Sequence, residues 1–138
     1  MTQKQFYGKQ SDIMIKVPIR VKQAAEYSYI LKNIGFKGGL ETGWKRAHQL
    51  STKTEIPIQD LKYMRAWFAR HIYASFPTWE QWVEAGKPVN DKHWWNKRGI
   101  ISWLIWGGTP AFKWVNSKQN IQLLNKYYNK NYIPLKIN

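Results

Sequence analysis

The 138-residue chain has no cysteine, so neither a disulfide framework nor a thiolate metal site is open to it. Acid is scarce as well: 8 Asp and Glu stand against 22 Lys and Arg. No apolar run approaches the roughly 18 residues of a membrane span, ISWLIW being far too short, and no membrane association is expected. The opening MTQKQFYGKQSD lacks the apolar centre of a signal peptide, which predicts a soluble protein that works where it is made. GxxxxGKS, GxGxxG, GxSxG and HExxH are all missing, which removes the commonest nucleotide-binding, hydrolase and zincin readings. No cofactor is implied.

The charge that is present runs one way, to +14 with a pI near 10. Such an excess favours a polyanionic partner, either nucleic acid, DNA or RNA, or an acidic protein surface. After Asp91 there is no acidic side chain, while Lys92, Lys97, Arg98, Lys113, Lys118, Lys126, Lys130 and Lys136 follow. The C-terminal third is therefore the expected anion-facing part. A lysine- and asparagine-rich composition from an AT-rich genome would explain many of the lysines, but not so few acids.

Length fits one domain with a core of its own. Residues 1–16 read as a polar, loosely held arm, residues 17–117 as a single helical domain, and residues 118–138 as a C-terminal helix with an extended tail. From Val17 the apolar positions Val17, Val21, Ala24, Tyr27, Leu31 and Ile34 recur at helical spacing, with Pro18 near the start and Gly35 just past the end. A glycine loop from Phe36 to Gly43 follows, then a short helix from Trp44 to Leu50 capped by Thr42, and a linker over Ser51 to Glu55. Pro57 opens the strongest helix, striped by Leu61, Met64, Phe68 and His71 and predicted to run to about Ala74. Pro77-Thr78 is expected to start a separate helix, with Thr78 and Gln81 in capping-box spacing, ending at Gly86 and Pro88. Val89 to Arg98 reads as an irregular loop, and Ser117 to about Asn129 as the last helix. The expected fold is all-α, a compact bundle of five to seven short helices with loosely held ends.

The densest segment is GIISWLIWGGTPAFKW, from Gly99 to Trp114. Trp103 and Trp106 share a helix face, Gly107-Gly108 ends the helix, and Thr109 followed by Pro110 reads as an N-cap and first helical residue. This predicts a tight helix–corner–helix wedged by indoles. Trp103, Trp106 and Trp114 are assigned to packing.

Three constellations are candidates for function. In KHWWNKR, Lys92, Lys97 and Arg98 interleave with Trp94 and Trp95, where indoles can stack on unpaired bases and cations can track phosphates. The alternative is that both indoles tuck into the bundle and only the cations stay wet. Lys45 and Arg46, at a helix start beside Trp44, suit phosphate, although Arg46 could equally fold back onto Glu41. Arg70-His71 is the best polar pair, open to acid–base or phosphate-clamping work but short of a partner carboxylate at any recognised spacing. A structural role is assigned to it, with no catalytic residue and no metal ligand named, since His48 and His93 are isolated.

Taken in order, Arg46-Ala47 with Leu50, then Met64, Phe68, Ala69, Arg70 and His71, then Trp106-Gly107-Gly108 and Trp114 make up a pattern. It resembles a small domain of unknown function encoded by many bacteriophages and some large DNA viruses. The resemblance spans about Val17 to Ser117 and implies a viral gene product, placed in the virion or the host cytoplasm, with an acidic viral protein or other virion proteins as partners besides nucleic acid. It implies no activity. The family often carries Asp directly after Gly-Gly, where this chain has Thr109, which weakens an acid-assisted site at that corner.

The leading expectation is thus a non-enzymatic basic protein that binds nucleic acid with little sequence preference through Lys92, Lys97, Arg98, Lys113 and Lys118, with Trp94 or Trp95 stacking. A virion structural, cargo or protein-docking module is the second reading. A nucleic-acid enzyme would need Arg46, Arg70 and His71 to converge in an open cleft with a carboxylate, Glu41 for example, in reach.

Overall fold

The stripe that begins at Leu61 does not stop at Ala74. In the computed structural model, which describes residues 13–137, one helix runs unbroken from Ile58 to Glu84, with Pro77 inside it. Leu61, Met64, Phe68, Ile72, Ser75 and Trp82 lie along its buried face. This corrects the expected break at Pro77-Thr78. Proline removes the bond to the Tyr73 carbonyl, but Tyr73 and Pro77 are both exposed, so that carbonyl lies where water can reach it while the buried face carries on. Thr78 caps nothing.

The elements in order are β1 (Met14–Lys16), α1 (Ile19–Ile34), α2 (Glu41–Thr52), β2 (Glu55–Pro57), α3 (Ile58–Glu84), α4 (Lys92–Trp95), α5 (Gly99–Ile105), α6 (Gly108–Val115) and α7 (Lys118–Tyr128). The all-α class therefore holds. The one addition is a two-stranded antiparallel ribbon pairing Ile15 with Ile56 and Lys16 with Glu55. It forms because Ile56 is fully buried and Ile15 partly so, which gives two short polar segments a common apolar side. It takes the end of the expected Ser51–Glu55 linker and of the 1–16 arm. The rest of that arm, residues 1–12, lies outside the described residues. No helix among the described residues is long and apolar enough to cross a membrane.

Helix α1 ends at Gly35 as expected, at φ 136°, but begins at Ile19, with Pro18 in the cap position and Val17 before it. Helix α2 begins earlier than expected, at Glu41, and Leu40 rather than Thr42 occupies the cap position without a side-chain bond. The α5–α6 corner packs between α1 and α3. Both corner glycines take positive φ, 98° at Gly107 and 66° at Gly108. A Cβ at Gly107 would stand 2.4 Å from that of Ala111 and 2.9 Å from Val21, so glycine here also lets the corner press onto α1.

Thr109 is not the N-cap of α6. Gly107 takes that place, and the Thr109 hydroxyl instead accepts from the Trp103 indole N–H at 3.1 Å, tying the two arms of the corner together. Trp103 is fully buried and meets Phe68 and Phe76 at ring separations of 5.1 and 5.2 Å. Edge-on and tilted contacts between aromatic rings add to simple area burial.

Ser117 caps α7 by accepting from the Asn120 N–H, and Asn129 ends it in the left-handed conformation. The extended tail beyond is tied to the body. Asn125 bonds both the N–H and the carbonyl of Tyr132, the Leu135 N–H donates to Asn116, and Arg65 donates to the Ile133 carbonyl at 2.7 Å.

Candidate anion-binding site

Trp106, three residues beyond Trp103, is only partly buried, and it begins a layered column. Its ring stacks on that of Trp67 at 5.1 Å with an interplanar angle of 12°, and Trp67 stacks on the His71 imidazole at 4.5 Å and 14°. The Arg46 guanidinium lies 5.2 Å from the Trp106 ring centre. Residues from α2, α3 and the corner thus form one series: guanidinium, indole, indole, imidazole. The spacing of Trp67 and His71, four apart on α3, puts those two rings over one another.

Each end of the column is fixed. Arg46 donates to Asp60 at 2.8 Å and also bonds Gln49, whose amide donates to the other Asp60 oxygen at 2.9 Å. Asp60 sits in the first turn of α3, where a negative charge is favoured. At the other end the His71 Nδ1 is 2.9 Å from the Trp67 carbonyl, which assigns the proton to Nδ1 and leaves Nε2 without a partner among the described residues.

Beside the column lies a cleft of about 370 Å³. Helix α3 supplies Arg70, His71 and Ser75 to it, the start of α5 supplies Arg98 and Ser102, and the glycine loop with the start of α2 supplies Gly39 and Thr42. No lining residue is acidic. The backbone at Arg98 is set in place by its neighbours. A Cβ at Gly38, which has φ 141°, would lie 2.9 Å from the Arg98 carbonyl oxygen, and the Lys37 N–H donates to the Trp95 carbonyl at 2.8 Å. The glycine loop is thereby pressed onto the α4–α5 junction.

Arg70 and His71 therefore share a cleft, as the phosphate-handling reading requires, but Arg46 and a carboxylate do not join them. Arg46 instead lines a separate hollow with Lys45, Gln49 and Asp60, and its ion pair is with Asp60, not Glu41. Among the described residues, no group of three His, Cys, Asp or Glu side chains could hold a metal ion. The arrangement is suited to holding an anion.

The KHWWNKR segment is not wholly irregular, since Asp91 caps the single-turn helix α4 through the His93 N–H at 3.0 Å. Its two indoles are used differently. Trp95 donates to the Val89 carbonyl at 2.8 Å and lies against Gly35 and Phe36, so it holds the loop down. Trp94 is half-buried, with the Lys97 ammonium 5.8 Å from its ring. Lys92, Arg98, Lys113, Lys118 and Lys45 are exposed, and Lys97 is partly so.

Sequence reasoning missed the convergence of Arg98 with Arg70-His71, because the two segments meet only through the fold. It also missed the Arg46–Asp60 bond, which joins two helices across the β2 turn. Comparison with protein-family models, with curated proteins and with solved structures returns no match.

Proposed function

We propose that the protein binds nucleic acid through its basic surface, largely without regard to sequence. The observation that supports this best is how little of the positive charge is neutralised internally. Among the described residues there are two ion pairs, Lys45–Glu41 at 3.9 Å and Arg46–Asp60 at 2.8 Å. Lys92, Arg98, Lys113 and Lys118 are exposed and, among the described residues, in no ion pair. Cations placed in this way release counterions from a phosphate backbone and gain affinity that does not depend on base identity. The resemblance to viral domains extends the proposal to a phage-encoded protein carried in the virion or working in the host cytoplasm.

The test is a salt titration of binding to single- and double-stranded DNA and RNA. Affinity should fall steeply with salt on every strand type, and each of Lys92→Gln, Lys113→Gln and Lys118→Gln should reduce the salt slope by about one. Absence of binding at low salt, or affinity indifferent to salt, defeats the proposal.

A second reading, a protein-docking module, draws support from an apolar groove of about 380 Å³ between α1, α3 and the corner, lined by Tyr27, Ile30, Trp79 and Pro110. It calls for a complex with a viral protein that survives nuclease treatment and is lost in Ile30→Asp.

A further inference from the structure

The cleft beside the aromatic column differs from the rest of the basic surface. Exposed lysines on α6 and α7 offer point charges to any polyanion, whereas the cleft brings two guanidinium groups, an imidazole and three hydroxyls to one concavity. Neither the Arg70 nor the Arg98 guanidinium has a hydrogen-bond or ion-pair partner among the described residues. Trp67 lines the same cleft, and its indole N–H, without an acceptor among the described residues, keeps contact with solvent. The buried indoles of Trp82 and Trp103, by contrast, both donate, to the Pro88 carbonyl and the Thr109 hydroxyl. The donors of both cleft guanidinium groups are thus open to an anionic ligand.

We infer that this cleft binds a terminal phosphate group, held by Arg70 and Arg98 with His71 and the Ser75, Ser102 and Thr42 hydroxyls around it. The inference rests on the nucleic-acid reading above and deepens it. Three features select this chemistry. Donors arrive from α2, α3 and α5, hence from several directions, which matches a tetrahedral anion better than a planar carboxylate. Two arginines can each engage phosphate oxygens in a forked geometry. With no acid in the lining, nothing opposes a dianion. The Trp106 and Trp67 rings are already stacked against each other and against Arg46 and His71, so the column supplies rigid support for His71 rather than a base-stacking platform. The shared chemistry is a phosphate monoester, whether at the end of a nucleic-acid strand or on a free mononucleotide.

The experiment uses the full chain and short single strands that carry either a 5′ or 3′ phosphate or hydroxyl ends, at one fixed salt concentration. AMP and inorganic phosphate are titrated in parallel. Arg70→Gln and Arg98→Gln are compared with Lys113→Gln, all at exposed positions, with thermal melting to verify folding. The expected result is at least about tenfold tighter binding of a phosphorylated end. That gain should vanish in R70Q and R98Q and persist in K113Q. AMP binding with the same arginine dependence and comparable affinity supports the cleft and identifies a free nucleotide as the source. Strand binding that is salt-dependent but indifferent to end phosphates, without AMP binding, overturns the cleft proposal and leaves the general one standing. AMP binding lost in R70Q, together with no strand binding at any salt, does the reverse.

Discussion

Trp103 and Trp106 stand three residues apart around the end of α5. The first is sealed inside the corner, edge-on to Phe68 at 5.1 Å with its N–H bonded to Thr109, while the second lies flat in a stack that opens on the cleft. The contrast separates two uses of the same side chain. Edge-to-face packing with a satisfied N–H encloses a core. Face-to-face stacking, with a guanidinium at one end of the column and an imidazole at the other, holds those groups at a fixed height beside a cavity. The corner is where stability is concentrated, and the column is where the fold presents polar chemistry.

Truncating the two indoles is the most forceful way to break this comparison. Trp103→Ala should cost about 3–5 kcal/mol, as expected for a large aromatic removed from a filled core. Trp106→Ala should cost only about 1.5–3 kcal/mol, because part of that ring is already in water. Urea unfolding of the two variants would decide. Equal losses would mean that the corner and the column form one packing unit.

Gly107→Ala probes the corner through the backbone. A left-handed residue costs about 1–2 kcal/mol once it carries a Cβ, and the contacts with Ala111 and Val21 add about 1–3 kcal/mol of overpacking. Gly86 supplies the matching variant, since its φ is also positive, at 90°, but nothing lies within 4 Å of its Cβ position. Gly86→Ala should therefore show only the conformational part. A smaller loss at Gly107 than at Gly86 would show that the corner is looser than its packing indicates.

Thr109→Val keeps the shape of that side chain and removes the acceptor for Trp103. The expected cost is about 1–3 kcal/mol, the penalty for a buried donor left alone. A neutral result would show that water reaches the indole N–H.

Much of this architecture is legible in the sequence where local chemistry and burial agree. The limits of α1 and α7 follow from Pro18, Gly35, Ser117 and Asn129, and the corner from Gly107-Gly108. Local signals mislead where tertiary packing outweighs them. Pro77-Thr78 looks like a helix start, yet the apolar spacing of Ile72, Phe76, Trp79 and Trp82 continues through it, and that longer period is the better guide. Thr109 followed by Pro110 has the form of a cap, but Gly107 already occupies the left-handed turn, which frees the threonine for Trp103. For the cleft, Arg70-His71 is visible as a pair. Arg98 joins them only because the glycine loop is pressed against the head of α5, a contact with no signature in spacing.

Tyr128 is the counterpart of Trp103, a hydroxyl shielded from solvent that has no hydrogen-bond partner among the described residues. Burial first, and then the neighbouring Tyr127, Tyr63, Asp60 and Tyr132, push its pKa up from 10.0 to about 12. In the unfolded chain the phenol ionises near its ordinary value, and in the folded protein it resists ionisation, so the unfolded form gains as pH rises. The corresponding stability is fully present below about pH 10 and is lost progressively toward about pH 12. Tyr128→Phe removes both the unpaired group and this titration. At neutral pH it should be neutral or more stable by up to about 1 kcal/mol, and between pH 10 and 12 its stability should fall less than that of the parent protein. Lysine deprotonation contributes to both proteins alike, so the difference between the two curves isolates the phenol. Parallel curves would mean that the hydroxyl reaches solvent, and the contrast between a partnered and an unpartnered buried donor would then apply to Trp103 alone.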